Sequence, residues 1–263
     1  METLPYKGGT AVTPQNGNLL LFLFVRPRRR AAADHSHTRV GEKMKNNVTA
    51  TEHYDMLIDE NCDPFRDGEM LKEYMKRWDG DAFYSCLNLN DQKTVLEIGV
   101  GTGRVARAVL DIGCKHLTGL DISPKTIARA KENLLDKYKN VELINQNIED
   151  FSRPNYYDVA YSVLTFMHIE NMQKALMNIV NALKPGGSAV LSISRQRDRL
   201  DYENRSVKLF PKEPEFYTKM LEKLGCSIAQ TIDLIDTYIY PPTGEKSTEH
   251  GERIATIIHA VKK

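Results

Sequence analysis

Three glycines, Gly99, Gly101 and Gly103, alternate in "VLEIGVGTGR" (95–104) behind an apolar run that carries one acid, Glu97. A chain gives up side chains at such spacing where the backbone turns sharply and something must approach it closely. Thr94–Ile98 reads as a buried strand and Arg104–Ile112 as the following helix. N–H groups exposed at a helix start favour electronegative ligand atoms, so a small ligand is expected across this turn, at the carboxyl end of the strand. Gly101-Thr102-Gly103-Arg104-Val105-Ala106 satisfies the dinucleotide pattern G-x-G-x-x-[GA], with an acid, Asp121, about twenty residues on. Asp121 ends the next apolar run, "LTGLD", where a carboxylate can accept from both hydroxyls of a ribose. Each such bond is worth about 1.5–3 kcal/mol. These residues identify a ribose but not a nicotinamide.

The elements that must position these residues follow from periodicity. Strand patterns fall at 94–98, 116–121, 141–145, 157–163 and 188–194, and helix patterns at 103–112, 124–138 and 171–183. Strand–helix alternation with short connections predicts a parallel sheet covered on both faces. The runs 226–236 and 253–262 are strand-like and joined by a polar loop with no helix, so they should pair antiparallel. From about Thr51 to Leu87 the pattern is helical, broken at "DPF" and "DG". Lys184-Pro185-Gly186-Gly187 should stop a helix before the fifth strand. Before Met44 the chain is polar and dotted with Gly and Pro; residues 1–43 are expected to form a disordered extension, and 44–263 one domain with a helical lid at about 51–90 and a core at about 91–263. "LLLFLFV" (19–25) is too short to span a bilayer, and its arginines follow the apolar stretch, the reverse of a signal peptide.

The rest of the chain narrows the chemistry. None of its tyrosines has a lysine four residues later, as a short-chain dehydrogenase requires, and too little chain follows the sheet for a second, substrate-binding domain. "VLEIGVGTGR", "LTGLDIS", "NQNIEDF", "YYDVAYSVLTFMHI" and "LKPGG" stand in an order and spacing that resembles the class I S-adenosylmethionine-dependent methyltransferases, over roughly residues 51–263. The resemblance implies an α/β fold: a Rossmann-like, doubly wound sheet of seven strands in the order 3-2-1-4-5-7-6, strand 7 antiparallel, with N-terminal helices added. It also implies S-adenosylmethionine as cofactor. Glu97 and the turn at Gly99, Gly101 and Gly103 would then cradle the methionine part, and Asp121 would hold the ribose with Ile122 against the adenine. Asn147 and Ile148 would meet the adenine edge and face, and Ser162 and Val163 the methionine side. Many members carry Asp where this chain has Asn147; an amide can still donate and accept there.

The sulfonium methyl is already electrophilic, so the protein has mainly to align a nucleophile and exclude water. His168, a few residues past the fourth strand, is the candidate base where the acceptor must lose a proton; the alternative is that it packs the next helix. Tyr54, Trp78 and Tyr84, before the first strand, are candidates to lid the cofactor or line the acceptor, against the plainer reading of a core-facing stripe. In the basic segment 194–211, Arg195, Arg197 or Arg199 could hold an anionic group, against the plainer reading of a solvated loop. The acceptor segment after the fourth strand reads "SVLT", unlike the Asn/Asp-Pro-Pro-Tyr motif of amino-methylating enzymes that act on nucleobases or glutamine. With a formal net charge of +1 and no basic, aromatic-interleaved patch, a small-molecule acceptor is expected, with no nucleic acid, membrane or metal, in a monomer or homodimer. Four scattered cysteines read as free thiols of a reducing, cytoplasmic compartment. A NAD-dependent oxidoreductase and a non-catalytic cofactor-binding module are the competing readings.

Overall fold

The computed structural model describes residues 45–194, 197–237, 239–240, 245–246 and 251–263. The expected extension over 1–43 and the candidate Arg195 lie outside the described residues.

The chain opens with a short strand, β1 (Asn46–Val48), and helix α1 (Ala50–Asp59). Thr49 and Glu52 start α1 as a reciprocal pair: each side chain bonds the other residue's backbone N–H. Helices α2 (Glu69–Met75) and α3 (Asp81–Leu87) follow. The core then runs β2 (Thr94–Ile98), α4 (Arg104–Ile112), β3 (His116–Asp121), α5 (Pro124–Leu134), β4 (Val141–Asn145), β5 (Tyr157–Val163), α6 (Met172–Ala182) and β6 (Leu183–Ser194). After it come β7 (Arg199–Tyr202), β8 (Arg205–Lys208), α7 (Pro214–Lys223), β9 (Cys226–Ile235), a two-rung ladder β10 (Ile239–Tyr240) and β11 (Glu245–Lys246), and β12 (Arg253–Lys262).

Seven strands form one sheet in the order β4-β3-β2-β5-β6-β12-β9. Renumbered within the sheet this is 3-2-1-4-5-7-6, and β12 alone runs antiparallel to its neighbours, β6 and β9. Every residue of β2 is buried, as expected of a central parallel strand. Helices α2 to α5 cover one face through Tyr74, Trp78, Phe83, Val109 and Leu134. Helices α6 and α7 cover the other through Leu176, Ile179, Tyr217 and Leu221. β2 has β3 on one side and β5 on the other, so the winding direction reverses at β2, and a crevice opens at the carboxyl ends of these strands.

The structure departs from the sequence expectation in three places. Helix α5 stops at Leu134 rather than 138. The strand expected at 188–194 begins at Leu183, which pairs with Tyr157; Lys184 to Gly187 form an irregular stretch within it, with Gly186 at φ +77°. Most importantly, the described part of the segment 194–211, from residue 197 on, is no solvated loop. β7 and β8 form a hairpin, and β1 adds to β8 in parallel. The reason lies in Arg205, only 1% exposed. Its guanidinium bonds both carboxylate oxygens of Glu60, donates from Nε to His53 Nδ1 at 2.9 Å, and lies 4.4 Å from the Tyr202 ring centroid. A buried, fully paired arginine inverts the apolar-in, polar-out rule that would have marked a strand.

The segment from β1 to α1 and the hairpin therefore form one cap. Its other anchorage is on α5: Ser123 donates to Asp55 at 2.6 Å, and Lys125 pairs with Asp59. Replacing Glu60 by alanine would strand a buried charge, which commonly costs about 3–5 kcal/mol; Glu60 is itself a third exposed, so about 2–4 kcal/mol is expected. Urea unfolding measures it, and a cost within about 0.5 kcal/mol of zero would show that the cap does not depend on this pair.

Candidate active site

The glycine turn joins β2 to α4, and its three glycines, all at positive φ, do different work. A Cβ on Gly99 would stand 2.1 Å from Thr165 Oγ1, and one on Gly103 2.7 Å from Leu134 Cδ1, so these two positions are bare for close packing. A Cβ on Gly101 would meet nothing within 4 Å; this residue faces open space. Its N–H donates to Asp121 Oδ2 at 2.9 Å, across the ends of β2 and β3.

Asp121 takes a second backbone bond, from the Ser123 N–H to Oδ1 at 2.9 Å. Burial raises its pKa, opposed by the N–H groups of Ser123, Gly101 and Ile122. Each carboxylate oxygen keeps a lone-pair direction for a further donor. Glu97, 2% exposed, accepts from Tyr161 Oη at 2.8 Å. Burial pushes its carboxyl up to about 8, against the pull of the Tyr161 hydroxyl and Arg104. Arg104, at the start of α4, is held by both oxygens of buried Asp79 at 2.8 and 2.9 Å, and Tyr84 donates to the same carboxylate.

Glu97, Gly101, Arg104 and Asp121 line one cleft with about 1070 Å³ of space, open solvent included. It brings together Glu97, Gly99, Gly101, Asp121, Ile122, Asn147, Ile148 and Val163 of the expected set, with Tyr54 over them. Gly103 and Ser162 are not on its wall: Gly103 packs on Leu134, and the Ser162 hydroxyl donates to Ile98 O at 2.9 Å, tying β5 to β2. Asn147 Oδ1 already accepts the Glu149 N–H at 3.0 Å, which leaves its NH₂ as the free function.

A second cavity adjoins the first, with about 1130 Å³ of space on the same measure, beneath the cap. Trp78 lines it but is 3% exposed, its carbonyl accepting from Ser192 Oγ at 2.9 Å, so it is wall and core together. Arg197 lines it too, whereas Arg199 pairs with Asp201. Tyr84 is on neither wall.

Tyr54, Leu164 and His168 border both cavities. Tyr54 Oη lies 3.0 Å from His168 Nε2, the rings edge-on at 82°. Burial, with His53 nearby, lowers the His168 pKa to about 4, so its imidazole is neutral at pH 7. Burial and Asp121 raise that of Tyr54, which stays a phenol. Leu164 holds φ +58°, a conformation rare outside glycine that clusters at functional sites. Sequence reasoning missed Pro64, Met75, Leu164 and Thr165 on these walls. The "DPF" break was the only signal for Pro64. Among the described residues, no group of three or more His, Cys, Asp or Glu could hold a metal ion.

Comparison with known proteins gives four matches of note. A family profile described as a methyltransferase domain matches residues 95–187. The uncharacterized methyltransferase YdaC of Bacillus subtilis is 31% identical over 132 residues, 48% of this chain and 69% of that protein. Phosphoethanolamine N-methyltransferase 2 of Caenorhabditis elegans is 34% identical over 107 residues, 38% of this chain but only 24% of that longer protein. Among solved structures, the N-methyltransferase NodS of Bradyrhizobium japonicum in complex with S-adenosylhomocysteine superposes with a TM-score of 0.59 at 16% identity, covering 82% of this chain and 99% of that one.

The buried Glu97 carboxyl has a measurable consequence. Its folded pKa of about 8 stands above its ordinary 4.5, so its contribution to stability is full below 4.5 and is lost as pH rises through about 8. The thermal midpoint of Glu97→Gln, relative to wild type, should therefore climb between about pH 5 and about pH 9. A constant difference across that range would place the titration elsewhere.

Proposed function

The chain belongs to the S-adenosylmethionine-dependent methyltransferase family, and on that premise we propose that it methylates a small-molecule acceptor seated in the cavity beneath its cap. The observation that carries the reading is the meeting of two cavities at Tyr54, Leu164 and His168. One holds the carboxylates and glycine turn suited to the cofactor, and the other has the mostly apolar wall of a small-molecule site.

The residues fit the cofactor. Asp121 keeps lone pairs for two vicinal hydroxyls, Gly101 leaves the space a side chain would fill, and Glu97 supplies a buried acid at the other end of the cleft. Asp121 would hold the ribose, Ile122 and Ile148 the adenine faces, and the Asn147 NH₂ its edge. Glu97, Gly99, Gly101 and Val163 would hold the methionine end. Gly103 and Ser162 serve by fixing the turn and the strand end. When bound, S-adenosylmethionine supplies an electrophilic methyl on a sulfonium, and no further activation of that carbon is needed.

The chain's own residues orient and enclose. Tyr54 reaches over the cleft from α1, where its ring can face a cation and its hydroxyl meets His168. His168 acts as a positioning residue: its Nε2, 3.0 Å from the Tyr54 hydroxyl, holds that hydroxyl at the junction, in place of the base expected from the sequence. Residues 44–263 act as a single domain, with the segment before β2 as its lid. No helix among the described residues is long and apolar enough to cross a membrane.

Calorimetry tests the cofactor assignment. S-adenosylhomocysteine should bind and NAD should not, and Asp121→Ala should weaken binding by about 2–4 kcal/mol, roughly thirty- to a thousand-fold. Unchanged affinity in a folded Asp121→Ala protein, or tight NAD binding, would refute it. Once a labelled-methyl screen of cell extract supplies an acceptor, His168→Gln, which keeps a partner for Tyr54, should stay within about threefold of wild type, with His168→Ala well below it. A general base would instead cost about 10²–10⁴-fold in both variants.

A further inference from the structure

The cavity beneath the cap says what kind of molecule it takes. Its walls are mainly apolar: Leu57, Met75, Trp78, Met167, Leu200 and Leu209 line it from α1, α2, the β5–α6 connection and the hairpin. No carboxylate is on the wall among the described residues. Of the two acids that act on the wall residue Cys62, Glu60 and Asp67, Glu60 is committed to Arg205 through both oxygens. An ammonium entering here would lose its water without gaining a counter-ion, a cost of several kcal/mol in a site of low polarity.

The histidines do not change this balance. His53 Nδ1 accepts from the Arg205 guanidinium, which can only donate, so neutral His53 carries its proton on Nε2. Burial and Arg205 keep His53 neutral, its pKa lowered to about 4, and His168 is neutral as well. Arg197 is the one formally charged side chain on the wall among the described residues. A phosphate is ordinarily gripped by several cationic or N–H donors, and this wall does not converge them. Tyr54, Ser194 and Thr102 offer hydroxyls that can orient an uncharged polar atom.

Resting on the methyltransferase reading above, we propose that the acceptor is an uncharged, predominantly apolar molecule, and that the cap excludes amines in their ammonium form. The apolar walls supply the binding and the hydroxyls near the cavity junction orient the polar atom. The absence of a wall carboxylate supplies the discrimination, through the desolvation a cation would suffer.

The chain provides its own reporter, since Trp78 is its only tryptophan and stands on this wall. The test is a Trp78 fluorescence titration with three probes of one shape: 2-phenylethanol, 2-phenylethylamine as its ammonium ion, and phenylacetate. It is run with and without S-adenosylhomocysteine. The alcohol should bind at least about tenfold more tightly than the ammonium, the equivalent of about 1.4 kcal/mol. The anion should bind more weakly than the alcohol. Leu200→Glu, which places a carboxylate on the wall at a partly buried hairpin position, should narrow or reverse the alcohol-to-ammonium ratio. Retained S-adenosylhomocysteine binding certifies that this variant is folded. Ammonium binding as tight as the alcohol's, anion binding tighter, or no Trp78 response to the alcohol would each overturn the proposal. Loss of S-adenosylhomocysteine binding by the wild-type protein strikes the cofactor assignment instead, because the probe titration needs no cofactor.

Discussion

The hydrogen bond from the Gly101 N–H to Asp121 Oδ2 is the constraint on which the site depends. It joins the carboxyl end of the central strand to that of its neighbour, and it requires the intervening backbone to turn at positive φ. A side chain at 101 would strain that turn and occupy the space the ligand needs. The bond also orients the carboxylate: with one oxygen on Gly101 and the other on Ser123, the remaining lone pairs face the cleft. Asp121 is thus fixed before any ligand arrives, and pre-organisation of this kind lowers the ordering cost of binding.

The second cavity is assembled by different means. The core supplies part of its wall, through Gly101, Thr102, Thr126, Ser194 and Ile254; α1 and the β7–β8 hairpin, some 150 residues apart along the chain and joined by Arg205, cover it. Arg205 touches both parts at once through Glu60, His53 and Tyr202. The same helix is tied to α5 through Asp55 and Ser123, two residues from Asp121. Tyr54 therefore owes its place over the cleft to two anchorages, one on the hairpin and one two residues from Asp121.

This division explains what could be read in advance. Four core strands, at 94–98, 116–121, 141–145 and 157–163, have the bounds their apolar runs gave, because central parallel strands are buried on both faces and need no partner to be recognised. The terminal antiparallel pair was legible from the missing helix between its two runs. The cap was not. β7 and β8 are short and half polar, and Arg205, the residue that buries them, reads as one more charge in a charged stretch. Its burial depends on Glu60 and His53, and no local pattern reports a partner that far away. In the cleft, positions carrying a diagnostic residue type, such as Glu97 and Asp121, could be named. Wall positions that matter through backbone shape, such as Leu164 and Thr165, could not.

Leu164 shows how tightly those wall positions are coupled. A leucine in the left-handed region is held against a cost of about 1–2 kcal/mol. The next residue, Thr165, donates its hydroxyl to Val163 O at 3.1 Å and sets its side chain where a Cβ on Gly99 would fall. The end of β5 thus folds back into the space that Gly99 leaves vacant. Leu164, the residue before Thr165, forms part of the partition both cavities share, with Tyr54 and His168. The bare position at 99 and the strained one at 164 are two sides of one packing solution. A larger residue at 99 would move Thr165, and with it the partition, so the turn that shapes the first cleft also sets a wall of the second.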